Sequence, residues 1–202
     1  MRLRLSALRE LETPVVMETH GGAGKIYARC YGSIPEGVVF ETSPMKTAIL
    51  GKQRPHWAVY EADCVAALAA SVGSHIPINF VDIDPYGGPW CAIDAFFSGI
   101  KPKVPRLVFA VNDGLRNRLK LHVAWNTEGL QDAVDQFGNA AIYEQYLDVC
   151  KWMMQRKAAK AGYILRRWTA YFCRPVHRPK GQIGDVAGDN ITHYAAVLER
   201  SA

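Results

Sequence analysis

The sequence predicts an α/β protein in which a mostly parallel sheet ends in a C-terminal antiparallel hairpin. Short apolar runs rich in β-branched and aromatic residues alternate four times with helical stretches, and such strand–helix units form parallel sheets with right-handed crossovers. Near the C-terminus, two further strand-like runs are separated by a polar, glycine-containing loop instead of a helix, which indicates an antiparallel pair.

Length and composition favour one globular domain over residues 1–202. The chain has 49% hydrophobic and 21% charged residues, which is typical of a soluble globular protein. No apolar run is long enough to cross a bilayer, and the N-terminus lacks the apolar block of a signal peptide. The five cysteines are scattered and form no C-x-x-C pair, so we expect thiols in a reducing cytoplasm and no metal site.

The first half of the chain is predicted to contain one helix followed by four strand–helix units. Residues 3–12 have leucines spaced among charged residues as in a short amphipathic helix, and Pro14 ends it. The predicted strands are residues 15–18, 37–41, 56–61 and 78–82. The helices that follow them are predicted at residues 26–31, 44–49, 64–72 and 89–97.

The second half begins with a fifth strand at residues 105–111 and is less regular. Residues 113–137 show no clear period, and we expect this basic and aromatic segment to cover the functional site. A long helix is predicted at residues 138–161 because apolar residues are spaced along one face. The hairpin strands are predicted at residues 163–172, with an interruption after residue 165, and at residues 191–198.

Acidic residues follow the apolar runs of the predicted parallel strands. Glu18 and Glu41 end the first two strands, Asp63 follows the third, and Asp82 and Asp84 end the fourth. Buried charges are costly unless they are paired, and the carboxyl ends of parallel strands are where open α/β sheets bind ligands. Each acid taken alone is an ordinary strand-end residue, but their joint spacing favours a ligand site.

A glycine-rich turn connects the first predicted strand to its helix. It contains His20, Gly22 and Gly24, and glycine lets the backbone approach a nucleotide-like ligand closely. The turn differs from a Walker A loop because Lys25 lacks the G-x-x-x-x-G-K-[ST] frame. His20 is interpreted either as a polar contact to the ligand or as a structural residue of the turn.

The strongest local pattern is Asp84-Pro85-Tyr86, directly after the fourth strand. A carboxylate acceptor, a backbone carbonyl held by a proline and an aromatic face occur within three residues, which suits a flat base with an exocyclic amine. The alternative is a strand end followed by a tight proline–glycine turn. Asp82 is expected on the opposite side of the pleat, where it would brace the glycine turn.

A basic segment extends over residues 151–180. It contains nine of the 24 basic residues of the chain and none of the 19 acidic ones, and aromatic residues are interleaved with the charges. This composition favours nucleic-acid binding, although most charge runs are simply solvated surfaces. The residues predicted to bind nucleic acid are Lys157, Lys160, Arg166, Arg167 and Arg174.

In order and spacing, these motifs resemble those of class I S-adenosylmethionine-dependent methyltransferases, which have a Rossmann-like fold. The run from Glu18 to Gly24 is similar to the family's E/D-x-G-x-G-x-G turn, with His20 in place of the first glycine. The run from Asp82 to Pro89 most resembles the D-x-D-P-[FY]-G-[ST]-P motif of tRNA guanine N2-methyltransferases. Amino-methylating DNA enzymes are more distant in motif.

The resemblance implies S-adenosylmethionine as cofactor and methyl transfer to an exocyclic amine of a nucleobase in RNA or DNA. The implied catalytic residues are Asp84, Pro85 and Tyr86, which would hold the amine and stack on the base. Asn112 and Asp113, after the fifth strand, would line the target pocket. The implied cofactor-binding residues are Glu18, His20, Gly22, Gly24, Glu41, Asp63 and Asp82.

Two other functions remain compatible with the sequence. One is methylation of a small molecule or a protein side chain, and the other is nucleic-acid binding by a protein that keeps the fold without catalysis. The basic segment argues against the first, and the retained acids with Asp84-Pro85-Tyr86 argue against the second. The motifs favour neither RNA over DNA nor one oligomeric state over another.

Overall fold

Seven strands form one sheet in the computed structural model, which describes residues 1–85, 87–116, 130–172 and 191–201. The strands are β1 (Val16–Glu18), β2 (Gly37–Glu41), β3 (Ala58–Glu61), β4 (Phe80–Ile83), β5 (Arg106–Asp113), β6 (Tyr163–Phe172) and β7 (Thr192–Arg200). Their order across the sheet is β3-β2-β1-β4-β5-β7-β6. The first five are parallel, whereas β7 is antiparallel to both β5 and β6. The predicted fold class is therefore confirmed.

The α-helices of the described residues are α1 (Arg2–Leu8), α2 (Pro44–Gln53), α3 (Cys64–Ala69), α4 (Trp90–Ala95), α5 (Gln131–Phe137), α6 (Asn139–Glu144) and α7 (Tyr146–Lys160). Two short segments, Tyr27–Tyr31 and Phe96–Ile100, are π-helical. The helix predicted at residues 138–161 is divided into α6 and α7 because Gln145 leaves the helical region, with φ −105° and ψ 30°. None of the helices in the described part of the chain is long and apolar enough to cross a membrane.

The sheet is covered by helices on both faces, as β5 illustrates. Leu107 and Phe109 pack into a core cluster with α3, α4 and α7, whereas Val108 and Ala110 pack into a second cluster with α1. Alternate residues of a strand point to opposite faces, and both sets are buried here. The short helix α1 therefore lies over the face that carries Val108 and Ala110.

β6 is the outer strand at one edge of the sheet in the described residues. Its register with β7 shifts between Leu165 and Arg167. Such an irregularity puts an unmatched residue into one strand and increases the local twist. It accounts for the interruption of the sequence pattern after residue 165, and the predicted strand is continuous over Tyr163–Phe172.

Candidate functional site

A cavity of about 610 Å³ opens at the carboxyl ends of the parallel strands. Small-molecule sites in proteins usually have volumes of roughly 300–1,000 Å³. The cavity brings together residues from the glycine turn and from the ends of β2, β4 and β5. The predicted site residues that line it are His20, Gly22, Glu41, Asp63, Asp84, Pro85 and Asn112.

Glu41 ties the glycine turn to the end of β2. Gly22 has a φ of +54°, a conformation that favours glycine, and its N–H donates to Glu41 Oε2 at 2.8 Å. The Ser43 N–H donates to Glu41 Oε1 at 3.0 Å. Both carboxylate oxygens are thereby oriented at the cavity wall. Gly24, with a φ of +74°, shapes the same turn but does not line the cavity.

Asp63 combines a position on the cavity wall with a local structural role. Its Oδ1 accepts a hydrogen bond from the Ala66 N–H at 2.9 Å, which caps the N-terminus of α3. The residue is exposed, so the carboxylate is also accessible from the cavity. The structure is compatible both with the predicted ligand contact and with an ordinary helix cap.

His20 lies on the cavity wall between the glycine turn and α3. Its Nδ1 is 2.7 Å from Thr19 Oγ1, and its Nε2 is 3.7 Å from Cys64 Sγ. Partial desolvation lowers the pKa of His20 below its ordinary value, so the ring is neutral at pH 7. Both interpretations of His20 fit this position, because the ring anchors the turn and also lines the cavity.

Asp84 is fixed by side chains on two sides. Asn112 Nδ2 donates to its Oδ1 at 2.5 Å, and Arg4 Nη2 is 3.3 Å from its Oδ2. The Asp84 side chain is 29% exposed, whereas that of Arg4 is only 7% exposed. A carboxylate has lone pairs for further donors, so Asp84 presents an oriented acceptor to the cavity.

Asp82 lies on the same side of the strand as Asp84, and the predicted opposite side is wrong. Residues two apart in a strand point to one face, and Arg4 contacts both acids, donating from Nε to Asp82 Oδ2 at 2.8 Å. The Tyr31 hydroxyl also donates to Asp82 Oδ2, at 2.6 Å. Asp82 is buried outside the cavity lining, and its carbonyl accepts from the Thr19 N–H at 3.0 Å. This position supports the predicted bracing of the turn more than a direct ligand contact.

Glu18 is likewise buried and does not line the cavity. It is ion-paired with Arg54, whose guanidinium lies 4.3 Å from the ring centroid of Tyr27 and 5.1 Å from that of Trp57. Burial raises the pKa of Glu18, and the positive charge of the paired Arg54 guanidinium opposes this shift. Glu18 therefore lies beneath the glycine turn, and its predicted role in binding the cofactor stays a prediction.

Arg4 is a site residue that the motifs did not reveal, although the helical pattern contains a signal for it. Ala7, Leu8 and Leu11 follow it at i+3, i+4 and i+7, and all pack against the second core cluster. That spacing places Arg4 on the buried face of α1, where it is 6% exposed. Leu5, one of the leucines of the predicted amphipathic helix, is 39% exposed.

Asn112 and Asp113 point to opposite sides of β5. Asn112 lines the cavity as predicted, but Asp113 is completely buried against α7. Asp113 Oδ2 accepts from the Tyr146 hydroxyl at 2.8 Å, and Oδ1 accepts from the Leu115 N–H at 2.8 Å. Burial raises the pKa of Asp113 to about 6. The prediction that Asp113 lines the target pocket is wrong because consecutive strand residues face opposite ways.

Comparisons with solved structures identify the architecture around this cavity. All of this chain aligns with Trm1 from Pyrococcus horikoshii in complex with S-adenosyl-L-methionine, at a TM-score of 0.61 and 13% identity, and covers 56% of that protein. All of it also aligns with a Pyrococcus horikoshii protein described provisionally as an RNA methyltransferase, at a TM-score of 0.53 and 13% identity, covering 83% of it. The fold is that of class I S-adenosylmethionine-dependent methyltransferases.

A third similar structure is the plantazolicin methyltransferase BamL in complex with a triazolic desmethylPZN analog and SAH. There the TM-score is 0.55 and the identity 10%, with 98% of this chain and 82% of the other covered. At such identities the similarity concerns the fold. No protein-family model and no curated protein sequence matches this chain.

In this methyltransferase fold, the two predicted nucleic-acid-binding arginines of β6 are paired with acids. Arg166 Nε donates to Glu199 Oε2 at 2.9 Å, and Arg167 is ion-paired with Glu10. Both arginine side chains are at least half exposed. They can still reach solvent or phosphate, but part of the positive charge suggested by the sequence is neutralised.

The two predicted lysines of α7 are located elsewhere. Lys157 Nζ donates to Asp94 Oδ1 at 2.6 Å, and Lys157 and Lys160 line a different cavity of about 330 Å³ between α4 and α7. In the described part of the basic segment, residues 151–172, the basic residues therefore do not form one uniform surface around the candidate site.

Several predicted features lie outside the described residues. These are the stacking role of Tyr86, the nucleic-acid contact of Arg174, and residues 117–129 of the predicted cover. They remain predictions from the sequence.

Proposed function

We propose that the chain is an S-adenosylmethionine-dependent methyltransferase that transfers a methyl group to an exocyclic amine of a nucleobase in RNA or DNA. The observation that carries the proposal is one cavity shared by the glycine turn, the acids Glu41 and Asp63, and the strand end Asp84-Pro85. Methyl transfer requires the cofactor and the acceptor to lie side by side, because its barrier falls mainly through alignment of the reacting atoms. Solved structures of this fold that hold S-adenosylmethionine or SAH support the choice of cofactor.

The residues on one side of the cavity fit this cofactor. Glu41 offers two oriented oxygens to two ribose hydroxyls, since each carboxylate oxygen can accept a second hydrogen bond. Asp63 offers an acceptor to the adenine amine, and Gly22 lets the backbone approach the methionine part. The cofactor, when bound, would supply the methyl group. Glu18 and Asp82 would support the turn from beneath.

The opposite side of the cavity suits the acceptor amine. An exocyclic amine is a poor nucleophile because its lone pair is delocalised into the ring. Hydrogen bonds from that amine to the Asp84 carboxylate and the Pro85 carbonyl would favour a tetrahedral nitrogen, and the Asp84 charge would stabilise the positive charge that develops. Arg4 and Asn112 keep the carboxylate in place. Tyr86 would stack on the base.

A small molecule or a protein side chain is the second candidate substrate. The observation in its favour is the pairing of Lys157, Arg166 and Arg167 with acids, because it weakens the electrostatic argument for a polyanion. The similarity in fold to the plantazolicin methyltransferase agrees with this alternative. We favour the nucleobase because Asp84-Pro85-Tyr86 has an explicit role with a planar amine.

The experiment has two stages. Calorimetry first measures binding of S-adenosylmethionine to the purified chain and to Glu41→Ala and Asp63→Ala, which we expect to bind it more weakly. The chain is then incubated with cofactor and with RNA or DNA from cells that lack it, and the nucleosides are analysed by mass spectrometry. We expect a nucleoside methylated at an exocyclic amine.

The two stages separate the possible failures. Absence of cofactor binding by the unmodified chain would remove the methyltransferase proposal. Cofactor binding without methylation of RNA or DNA would favour the small-molecule or protein substrate.

A further inference from the structure

Four side chains form a row across the sheet beside the candidate site. The row consists of Asp84, Asn112, His193 and Tyr171. Asn112 donates a hydrogen bond to Asp84 and is paired with His193 in the register of β5 and β7. His193 is in turn paired with Tyr171 in the register of β7 and β6. Directly paired residues of neighbouring strands point to the same face of a sheet. The row therefore runs from the candidate catalytic carboxylate to the outer edge of the sheet.

The outer half of this row presents aromatic surface. The ring centroids of Tyr171 and His193 are 5.4 Å apart with an interplanar angle of 35°. Tyr171 is 41% exposed, whereas Trp168, on the opposite face of β6, is stacked on the buried Tyr194 with ring centroids 4.9 Å apart. Burial and the nearby charge of Arg4 lower the pKa of His193, so its ring is neutral at pH 7.

The distance along the row separates two positions. Asp84 follows β4 and Tyr171 lies in β6, so three strand spacings, or roughly 14 Å, separate them. A base whose amine is held by Asp84 would not extend over both places. The neighbouring nucleotide of the same nucleic-acid strand would instead reach Tyr171.

We propose that the Tyr171–His193 pair is a stacking platform for a nucleotide that flanks the methylated base. The inference rests on the proposed nucleobase methylation. An aromatic face accepts any base, so the platform would contribute affinity without strict sequence preference. Arg167 lies on the same face of β6, four residues before Tyr171, and its half-exposed guanidinium would reach a phosphate of the same strand by exchanging its ion pair with Glu10.

The experiment compares three variants with the unmodified chain. Tyr171→Ala removes the ring, Tyr171→Phe keeps it, and Ile164→Ala is the control because it removes apolar surface that is 46% exposed from the same strand. Affinity for fluorescein-labelled random-sequence single-stranded RNA and DNA is measured over a range of salt concentrations. S-adenosylmethionine affinity and the melting temperature are measured on the same samples.

We expect Tyr171→Ala to bind RNA or DNA roughly 5- to 150-fold more weakly at every salt concentration, with the salt slope unchanged, because a stacking contact and no charge is lost. Tyr171→Phe and Ile164→Ala should stay within about twofold of the unmodified chain. Cofactor affinity should be the same in all four proteins.

Other results would overturn the platform in distinguishable ways. Equal nucleic-acid affinity of Tyr171→Ala and Ile164→Ala would reject the platform and leave the proposed function intact. A parallel loss of cofactor affinity or melting temperature in Tyr171→Ala would assign Tyr171 a packing role. An unmodified chain that binds the cofactor but neither RNA nor DNA would reject the nucleobase substrate, and the platform with it.

Discussion

At the scale of single residues, Arg4 supplies the positive charge that balances the acidic side chains beneath the site. It is buried, and it contacts Asp82 and Asp84 together. Removing one partner of a buried ion pair leaves an uncompensated charge, which destabilises a protein more than the pair itself stabilises it. The arginine therefore links stability of the fold to the position of the candidate catalytic carboxylate.

Arg4→Met should lower the free energy of unfolding by about 3–5 kcal/mol, because Asp82 stays buried without its cation. Adding Asp82→Asn to Arg4→Met should recover part of this loss, since the orphaned charge is then removed. Denaturant unfolding measures both effects, with Arg2→Met on the exposed side of the same helix as control. Equal stability of Arg4→Met and Arg2→Met would contradict the role of Arg4.

Asp84→Asn should retain the fold and the cofactor affinity but lose on the order of 10²–10³ in methylation rate. The amide keeps one acceptor oxygen, yet its charge is gone and its NH2 end can only donate. Single-turnover rates test this, and Asp132→Asn is the matched control because Asp132 is exposed and outside the cavity. Methylation by Asp84→Asn at the unmodified rate would exclude this strand end as the catalytic centre.

At the scale of secondary-structure elements, Asp113 joins β5 to α7 and β7. Its Oδ2 is 2.8 Å from the Tyr146 hydroxyl of α7 and 3.4 Å from the Tyr194 hydroxyl of β7. A fully buried carboxyl without a cation is more stable in its neutral form, and this is why its pKa is raised to about 6. The junction of the three elements is thus sensitive to pH.

The Asp113 carboxyl should make the protein less stable as pH rises from about 4 to about 6. Its pKa is about 6 in the folded chain and near 3.8 when unfolded, so the native state binds more protons in this window. The stabilisation is present below pH 4 and is lost as pH passes 6. Relative to Asp113→Asn, the unfolding free energy should fall by up to about 3 kcal/mol across the window.

Chemical denaturation of both proteins at a series of pH values measures that difference. Asp113→Asn has no proton to exchange at this position, so it supplies the background from all other groups. A difference that stays constant or increases between pH 4 and pH 6 would be incompatible with a raised pKa at Asp113.

The sequence patterns predict the positions of the strands but not the ion pairs. β2 has the predicted bounds, and the parallel strands were recognisable because buried apolar runs end in acids and turn residues. Helix ends were less predictable, since no proline or glycine marks the break at Gln145. The partners Arg4–Asp82 and Arg54–Glu18 join residues far apart in sequence, and only tertiary packing brings them together.

The candidate site was predictable to the extent that it depends on strand ends. The register of β1, β2 and β4 brings Glu41, Gly22 and Asp84 to one edge of the sheet, which parallel topology requires. Asp113 does not join them, because consecutive residues of a strand face opposite sides of the sheet and Asn112 is the one that faces the cavity.

At the scale of the whole molecule, part of the positive charge behind the net charge of +5 is paired locally with acids within the described residues. Arg156, Lys157, Arg166 and Arg167 each have an acidic partner from another part of the chain. The phosphates of a nucleic acid would therefore have to displace these acids from the basic side chains. Nucleic-acid affinity, if it arises from this region, should be moderate and strongly dependent on salt.

Arg166→Glu combined with Arg167→Glu should weaken binding to all single-stranded sequences alike. The slope of log affinity against log salt should decrease by about 0.7 for each phosphate contact that is lost. Lys101→Glu combined with Lys103→Glu changes the net charge equally at exposed positions before β5 and serves as control. If both double variants change affinity equally, the effect comes from net charge and not from a local phosphate contact.

The bulge in β6 has a consequence for how copies of this protein meet. An edge strand of ten residues offers backbone donors and acceptors on which another chain can add a strand, and this is how sheets grow into aggregates. The register shift after Leu165 twists that edge, and the exposed charges of Arg166 and Arg167 stand at the same place. Such a twisted edge with ion-paired side chains is a poor template for an added strand, so we expect the bulge to disfavour polymerisation of the sheet through β6.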